Sequence, residues 1–456
     1  MSSPLPEAVH GRIPPPRSVG GVLRQLGPGL IISAVIVGSG ELIVTPKLGA
    51  EEGFKLLWFI VLGCLLKVFV QIELGRNAVL RGQTTLASLD TLPGPRFKVS
   101  WILWLWLAMY LSLVFQVAGM VGGVARVFSL GGFDLPVNGL AVLIGGSCAG
   151  LLLLGRYRLV EGISTVFVVL FTAATLAAVI LLQRTGYALT GGQIASGLSF
   201  GLPDRLVTAF AAFGIIGVGA SELIYYPYWC LEKGYAKSVG PDDGSAEWRA
   251  NAKGWLKIMR LDAWVSFALY TSTTLAFYLL GAAILHAKNV RVENSRMIDT
   301  LSLMYREVFG EWSYWLFLVG AFAVLYSTVF GATASNARLA VDALGVWGVK
   351  RYRDGAERSR WLKYACVALP LAFTSVFILV GAPVSLVLVG AIGQGLMLPF
   401  LAGAAICYHA RNPYRDLRAG RGSVVCLVIA ALLMAALGLY QVGSEVLRMF
   451  GASAPQ

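Results

Sequence analysis

Charged residues are scarce in this chain of 456 residues, of which only 13% are Asp, Glu, Lys or Arg. Soluble domains carry about 25% charged residues, and the longest polar stretch here, Glu232–Arg260, is no larger than one helical hairpin. No polar segment is therefore long enough to fold as a separate soluble domain. With 57% hydrophobic residues and a mean hydropathy of +0.71, the composition predicts an all-α polytopic membrane protein with one integrated domain.

Histidine and clustered cysteine, which build many metal and catalytic centres, are also scarce. The three histidines lie outside the middles of the apolar stretches, and the six cysteines are isolated from one another. None has the spacing of a zinc site or a disulfide framework, and no glycine-rich phosphate loop follows a strand pattern. The sequence thus predicts a protein that is not an enzyme, has no cofactor and is not driven by ATP.

The net charge of +13 does not indicate a nucleic-acid partner, because Lys and Arg fall in short loops between apolar stretches. These loops lie on one side of the membrane if the N-terminus is cytoplasmic, and an odd number of spans then places the C-terminus outside. Residues 1–27 are polar and proline-rich and predict a disordered cytoplasmic tail of a protein in the inner (plasma) membrane. The eleven predicted spans are 28–48, 54–75, 100–127, 138–154, 159–182, 206–229, 261–287, 313–344, 361–380, 385–408 and 423–447.

Two short segments inside apolar stretches are near copies of each other. Val37–Pro46 reads VGSGELIVTP, and Val218–Pro227 reads VGASELIYYP. Each places small residues directly before a glutamate, which favours an interrupted helix around a buried site. Such a pair in corresponding halves of a membrane protein is typical of a transporter's binding site.

The two segments lie in the first and sixth predicted spans, which cross the membrane in opposite directions. Five spans repeated with opposite orientation form an inverted repeat. The sequence therefore predicts a first half at 28–182, a second half at 206–408 and an extra helix at 423–447, with helices 1 and 6 broken.

The predicted substrate site comprises both interruptions and the tyrosines after the second one. Two carboxylates facing one cavity suit a hard divalent cation bound through oxygen, and one of them is alternatively a proton acceptor. A larger organic cation also suits a cavity lined by glutamates and tyrosines, and the residues leave these possibilities open. The predicted residues are Gly38, Ser39, Gly40, Glu41, Gly219, Ala220, Ser221, Glu222, Tyr225 and Tyr226.

Lys67, near the middle of the second span, is a candidate ion-pair or coupling partner of Glu41, Glu222 or Glu73. Its structural alternative is snorkelling toward the interface. Each glutamate also has a structural alternative, in which it accepts hydrogen bonds from free backbone at a helix break. Asp262, near the cytoplasmic end of the seventh span, is expected to be solvated at the interface, with a gate-like ion pair as the alternative.

Several of these segments resemble the Nramp family of transporters, which share the LeuT-like fold. The family's Asp-Pro-Gly-Asn stands as Gly38–Glu41, and its Met-Pro-His-Asn as Gly219–Glu222, so the metal-binding Asp, the thioether ligand and the His are absent. The resemblance implies a proton-coupled divalent metal transporter, and loss of the Met favours hard ions over soft ones. The other matching residues are Gly27–Pro28, Leu56–Trp58, Gln71, Ser327–Ala334 and Leu398–Phe400.

The sequence therefore predicts a secondary active transporter that moves a cation by alternating access between the first and sixth spans. A hard divalent metal is favoured, with Glu41 and Glu222 as candidate ligands. The alternatives are a cation- or proton-coupled transporter of a small organic solute and a non-transporting membrane sensor. The predicted partners are the small ion or solute and the lipid bilayer, with no nucleic acid, and a monomer is compatible with this prediction.

Overall fold

Almost all of the protein is helical. The structure, a computed structural model, describes residues 12–155, 157–294 and 296–449. In these ranges the β-structure is one antiparallel hairpin of β1 (Arg96–Phe97) and β2 (Val99–Ser100), so the all-α prediction is confirmed. The α-helices are α1 (Val19–Gln25), α2 (Pro28–Ile36), α3 (Thr45–Glu52), α4 (Leu57–Arg81), α5 (Thr85–Asp90), α6 (Trp101–Leu130), α7 (Val137–Leu153), α8 (Tyr157–Leu181), α9 (Gly191–Gly197), α10 (Leu206–Ile215), α11 (Ala220–Glu232), α12 (Tyr235–Val239), α13 (Ala246–Leu280), α14 (Met297–Phe309), α15 (Ser313–Val346), α16 (Gly355–Val380), α17 (Pro383–Arg411) and α18 (Arg421–Met449).

Within the described ranges, nine helical segments are long and apolar enough to cross a bilayer. The shorter α7 and the first span, which is divided into α2, a π-helix and α3, bring the apolar crossings to the eleven that the hydropathy predicts. All eleven predicted stretches are largely helical, as a membrane requires because it offers no water to unpaired backbone groups. The protein is therefore a multi-pass membrane protein.

The first and sixth spans lie in the middle of the bundle. The π-helical part of the first span packs against α13 and α15, whereas α10 packs against α17 and α11 against α4. Residues of the sixth span are almost all buried, whereas few residues of α16 and of the described part of α18 are buried. The bundle thus encloses the two near-copy segments.

The two interruptions differ from each other. In the sixth span the helix ends at Ile215 and resumes at Ala220, and Gly217 between them has a φ of +64°. The first span stays helical, because Val37–Val44 forms a π-helix whose wider turn is closed by a bond from the Thr45 N–H to the Gly40 carbonyl. The predicted interruption of helix 1 is therefore a π-helix between α2 and α3 and not unwound backbone, and π-helical turns are likewise frequent at functional sites.

The N-terminal segment after residue 11 is ordered, and this corrects the prediction of a disordered tail at 1–27 for residues 12–27. The backbone N–H of Ile13 donates to the Ser238 carbonyl at 3.1 Å, and the Trp255 indole donates to the Ile13 carbonyl at 2.9 Å. Residues 1–11 lie outside the described part of the chain.

Helix α13 begins fifteen residues before the predicted span at 261–287. Ser245 caps its N-terminus by accepting the Trp248 N–H at 3.0 Å, and Trp248 and Trp255 are buried. The polar composition of this segment concealed a helix that the cap and the two aromatic residues stabilise.

Candidate functional site

The carboxylate of Glu41, in the first span, reaches the interruption of the sixth. Its Oε1 accepts the backbone N–H of Gly217 at 3.1 Å, and its Oε2 accepts the Thr45 hydroxyl at 3.0 Å. Glu41 is fully buried. A glutamate from the first near-copy segment therefore satisfies a backbone donor that the break in the sixth span leaves free, and this is the geometry of the structural alternative for Glu41.

Glu222 lies in the first turn of α11, directly after the break. It is 8% exposed, and its carboxylate lies beside Gly219 and Ser221 at the N-terminal end of the helix. The unpaired N–H groups at a helix N-terminus carry a partial positive charge, so a carboxylate is favourable there. Glu222 is thus less enclosed than Glu41.

Lys67, from α4, meets the other side of the same break. Its ammonium donates to the carbonyls of Phe213 and Ile216, the latter at 2.8 Å, and lies 4.7 Å from the centre of the Phe213 ring. Lys67 is 1% exposed, so it does not snorkel to the interface. It attracts Glu41 and Glu222 electrostatically, but its hydrogen bonds are to backbone carbonyls.

A chain of polar side chains holds the start of α11. The amide oxygen of Gln394 accepts the backbone N–H of Ser221 at 2.8 Å and its hydroxyl at 2.9 Å. The amide nitrogen of Gln394 donates to the amide oxygen of Gln116 at 2.8 Å. Sequence reasoning missed Gln394, although a Gln in the middle of an apolar span is a signal because polar groups there need partners.

The small residues of both segments allow close approach of neighbouring atoms. A Cβ on Gly38 would lie 1.9 Å from the Thr328 hydroxyl oxygen, and one on Gly40 would lie 2.9 Å from the Ile215 carbonyl. A Cβ on Gly219 would lie 2.5 Å from oxygen atoms of both Gln394 and Glu222. Ala220 is fully buried, and the side chain of Ser39 lies outside the described part of the structure.

The two predicted tyrosines are buried and engaged by other helices. Tyr225 donates its hydroxyl to the Asn336 amide oxygen at 2.8 Å, and Tyr226 donates to the Met259 carbonyl at 3.0 Å and to Asp262 at 3.1 Å. These contacts join α11 to α15 and α13.

Asp262 lies in the interior rather than at a solvated interface, so that expectation was wrong. Its two carboxylate oxygens accept the backbone N–H groups of Gly27 at 2.9 Å and Gly29 at 2.7 Å, and it is 1% exposed. These donors are at the N-terminus of α2, whose unpaired N–H groups attract a carboxylate. Asp262 therefore caps the first span.

The described residues contain no cluster of three or more His, Cys, Asp or Glu side chains that could hold a metal ion. Oxygen ligands at the break would therefore combine carboxylates with amide or backbone oxygens, which suit hard cations. Gln71, four residues after Lys67 on the same face of α4, is fully buried, and neither of its amide atoms has a hydrogen-bond partner.

A family model described as Natural resistance-associated macrophage protein-like (Nramp) matches residues 29–444. The chain belongs to the Nramp family. It is thus an Nramp-type membrane transporter and not an enzyme, which confirms the resemblance seen in the sequence.

Two curated relatives of this Nramp protein have the same sequence identity but match different shares of the chain. The divalent metal cation transporter MntH of Deinococcus radiodurans is 26% identical over 431 residues, which cover 92% of this chain and 90% of the relative. The uncharacterized protein PM0681 of Pasteurella multocida is 26% identical over 325 residues, which cover 70% of each chain.

Solved structures show the same fold at lower identity. A mutant of the Eremococcus coleocola manganese transporter has a TM-score of 0.67 and 16% identity, covering 98% of this chain and 91% of that one. Mhp1, a nucleobase-cation-symport-1 family transporter, has a TM-score of 0.53 and 15% identity, covering 92% of this chain and 93% of that one. These matches confirm the LeuT-like fold.

Proposed function

We propose that this Nramp-family protein transports a divalent metal cation, with hard ions such as Mg²⁺ and Mn²⁺ favoured, by alternating access around the break in the sixth span. The observation that carries the proposal is that Glu41 from the first span meets the unwound backbone of the sixth at Gly217. Discontinuous helices near the middle of the membrane are the usual ion sites of secondary transporters. The curated Deinococcus radiodurans relative is named a divalent metal cation transporter.

The two glutamates have different roles in this proposal. Glu41 is fully enclosed and both its oxygens are already bonded, so it holds the two spans together. Glu222 is less enclosed and binds the cargo, together with the unpartnered amide oxygen of Gln71. No thioether or imidazole is part of this ligand set, and oxygen ligands select hard cations over soft ones.

Lys67 influences the strength of binding. Its charge offsets one of the two carboxylates to which it is electrostatically coupled, so the site attracts a divalent cation less strongly than two free carboxylates would. We therefore expect moderate affinity, which suits a carrier that has to release its cargo.

The test is calorimetric titration of Mn²⁺, Mg²⁺ and Ca²⁺ into the purified protein, paired with metal flux into liposomes. Glu222→Gln should weaken binding about tenfold or more, a loss of about 1.4 kcal/mol, whereas Glu41→Gln should mainly lower the melting temperature. Glu293→Gln, at an exposed position, is the matched control and should leave both unchanged. Absence of binding to the wild type, or wild-type affinity in Glu222→Gln, would refute the metal site.

The same measurements separate the two alternatives. Binding without flux would indicate a sensor. A transporter of an organic solute has less support, because the hydroxyls of Tyr225 and Tyr226, which were expected to line its cavity, are engaged by Asn336 and Asp262.

We also propose that 28–182 and 206–408 form the two inverted halves, with 423–447 appended, and that the N-terminus is cytoplasmic and the C-terminus outside. The interruptions at corresponding positions of the first and sixth spans support the repeat. The placement of Lys and Arg in alternate loops supports the orientation. All proposed site residues come from one chain, so a monomer in the plasma membrane suffices.

A further inference from the structure

The carbonyl end of α10 is a position where a membrane protein requires a cation. The helix stops at Ile215 in the middle of the bundle, so its last carbonyls have no N–H partners in the following turn. They carry the partial negative charge of the helix end, and no bulk water solvates them at this depth.

We propose that Lys67 is a built-in monovalent cation that fills this position, so that the transporter needs no Na⁺ or K⁺ ion there. The proposal deepens the proposed transport function and rests on it. Two backbone carbonyls, of Phe213 and Ile216, receive the ammonium. Carbonyl oxygens beside carboxylates also form the environment that an inorganic cation requires.

The surroundings of the ammonium show that its charge, and not only its hydrogen bonds, is used. The Phe213 ring lies 4.7 Å below it, at a distance suited to a cation–π contact. Glu41 and Glu222 are the acidic groups that attract it. Glu41 accepts the backbone N–H of Gly217, which directly follows the Ile216 carbonyl. The negative Glu41 therefore binds the free donor of the break, and the positive Lys67 binds its free acceptors.

Lys67 also lies on the part of the structure that distinguishes the two near-copy segments. The first segment is π-helical and keeps its backbone bonds, whereas the second begins in a break between Ile215 and Ala220. Lys67 meets the carbonyls of Phe213 and Ile216 just before the second segment. The Lys67 ammonium therefore occupies the position beside free carbonyls that a monovalent ion would otherwise fill.

The experiment removes the charge and asks whether an inorganic cation takes its place. Lys67→Met keeps most of the length and the apolar character of the side chain without the ammonium, and Lys67→Gln keeps an amide NH₂ donor group without the charge. Melting temperatures are compared in NaCl, KCl and choline chloride at equal ionic strength, without divalent metal. The melting temperature of the wild type should be the same in all three salts. The melting temperatures of both variants should be about 2–5 °C higher in Na⁺ or K⁺ than in choline, and this rise should saturate with salt concentration.

Two controls complete the design. Lys67→Arg keeps the positive charge and should remain indifferent to alkali cations, and Lys363→Met, at an exposed position, should behave as the wild type. Direct binding of radioactive Na⁺ should appear in Lys67→Met and be absent from the wild type.

Three outcomes overturn the proposal. They are a wild type that itself shows a saturable Na⁺ or K⁺ response, neutral variants that are indifferent to every alkali cation, and neutral variants that cannot be recovered folded even in alkali salts. The experiment uses no divalent metal, so its result can be interpreted even if the metal-transport hypothesis fails. Alkali-cation dependence in the variants would stand even if Mn²⁺ and Mg²⁺ did not bind.

Discussion

Charged side chains inside the bundle lie at helix ends of opposite partial charge. Asp262 accepts backbone N–H groups at the start of α2, and Glu52 accepts those of Asp204 and Arg205 just before α10. Lys67 donates to carbonyls at the end of α10. The signs follow the helix dipole, so each of these charges has a structural partner whatever part it takes in transport.

The sequence predicted which charged residues are buried near the break but not what each of them contacts. Glu41, Glu222 and Lys67 were identified because charge within an apolar span is costly. Their partners belong to other helices, and the contact between Glu41 and Gly217 spans 176 residues of chain. Such a contact depends on the packing of the whole bundle, which local patterns do not contain.

At the residue scale we predict that Gly38→Ala destabilises the protein. The new Cβ would lie 1.9 Å from the hydroxyl oxygen of Thr328, which is itself bonded to the Val35 carbonyl at 3.1 Å. Overpacking of this kind typically lowers the free energy of unfolding by about 1–3 kcal/mol, and a fall in melting temperature in detergent should report it.

Gly146→Ala is the control for this substitution. Gly146 is exposed on α7, and nothing lies within 4 Å of a Cβ placed there. Alanine within a helix is more stable than glycine by about 0.5–1 kcal/mol, so this variant should melt at or above the wild-type temperature. Equal melting temperatures for the two variants would contradict the tight packing of the first span on α15.

At the scale of elements, the two near-copy segments show how far a sequence motif can be interpreted. Both contain small residues before a glutamate, yet the first is a π-helix, whereas the second begins in an unwound break and continues as α11 from Ala220. Gly217 has the positive φ that only glycine adopts easily, whereas the residues of the first segment keep helical backbone angles. The motif predicted a distortion but not its type, because the glycine with the positive φ lies just before the second motif.

We predict that Asp262→Ala weakens the attachment of α2 to the rest of the bundle. It removes the acceptor of two backbone N–H groups at 2.9 and 2.7 Å in a buried setting, and each donor left unpaired there costs about 1–3 kcal/mol. The melting temperature should fall, and hydrogen exchange should accelerate at the start of α2 before it does elsewhere.

The corresponding cap at the surface provides the comparison. Asp354 caps α16 by accepting the Glu357 N–H at 2.7 Å and is exposed. Asp354→Ala should lower stability by only about 1 kcal/mol, because water replaces the lost acceptor. If the two substitutions were equally mild, Asp262 could not be the cap that holds the first span.

At the scale of the whole molecule, hydropathy predicted the eleven crossings, because the bilayer selects for apolar length alone. It missed the docking of residues 12–27, because that docking includes backbone hydrogen bonds such as Ile13 to Ser238. Such bonds produce no periodic hydrophobic pattern in the sequence. It also missed the early start of α13, where the polar residues lie beyond the membrane span.

The orientation of the molecule is testable with single cysteines and a membrane-impermeant maleimide. Lys253 is exposed in the basic segment predicted to be cytoplasmic, and Arg291 is exposed in the loop between α13 and α14. The native cysteines are buried or half-buried, which keeps background labelling low. In intact cells Arg291→Cys should be labelled and Lys253→Cys should be protected, because Lys and Arg of short loops are retained on the cytoplasmic side.

Lysis of the cells supplies the control, since both cysteines should then react equally. The reverse pattern in intact cells would invert the orientation. It would place the N-terminal segment, which is hydrogen-bonded to the backbone at Ser238, outside the cell. The basic loops would then face outward against the charge bias of the membrane, and the inverted-repeat proposal would keep its symmetry while the direction assigned to each span would change.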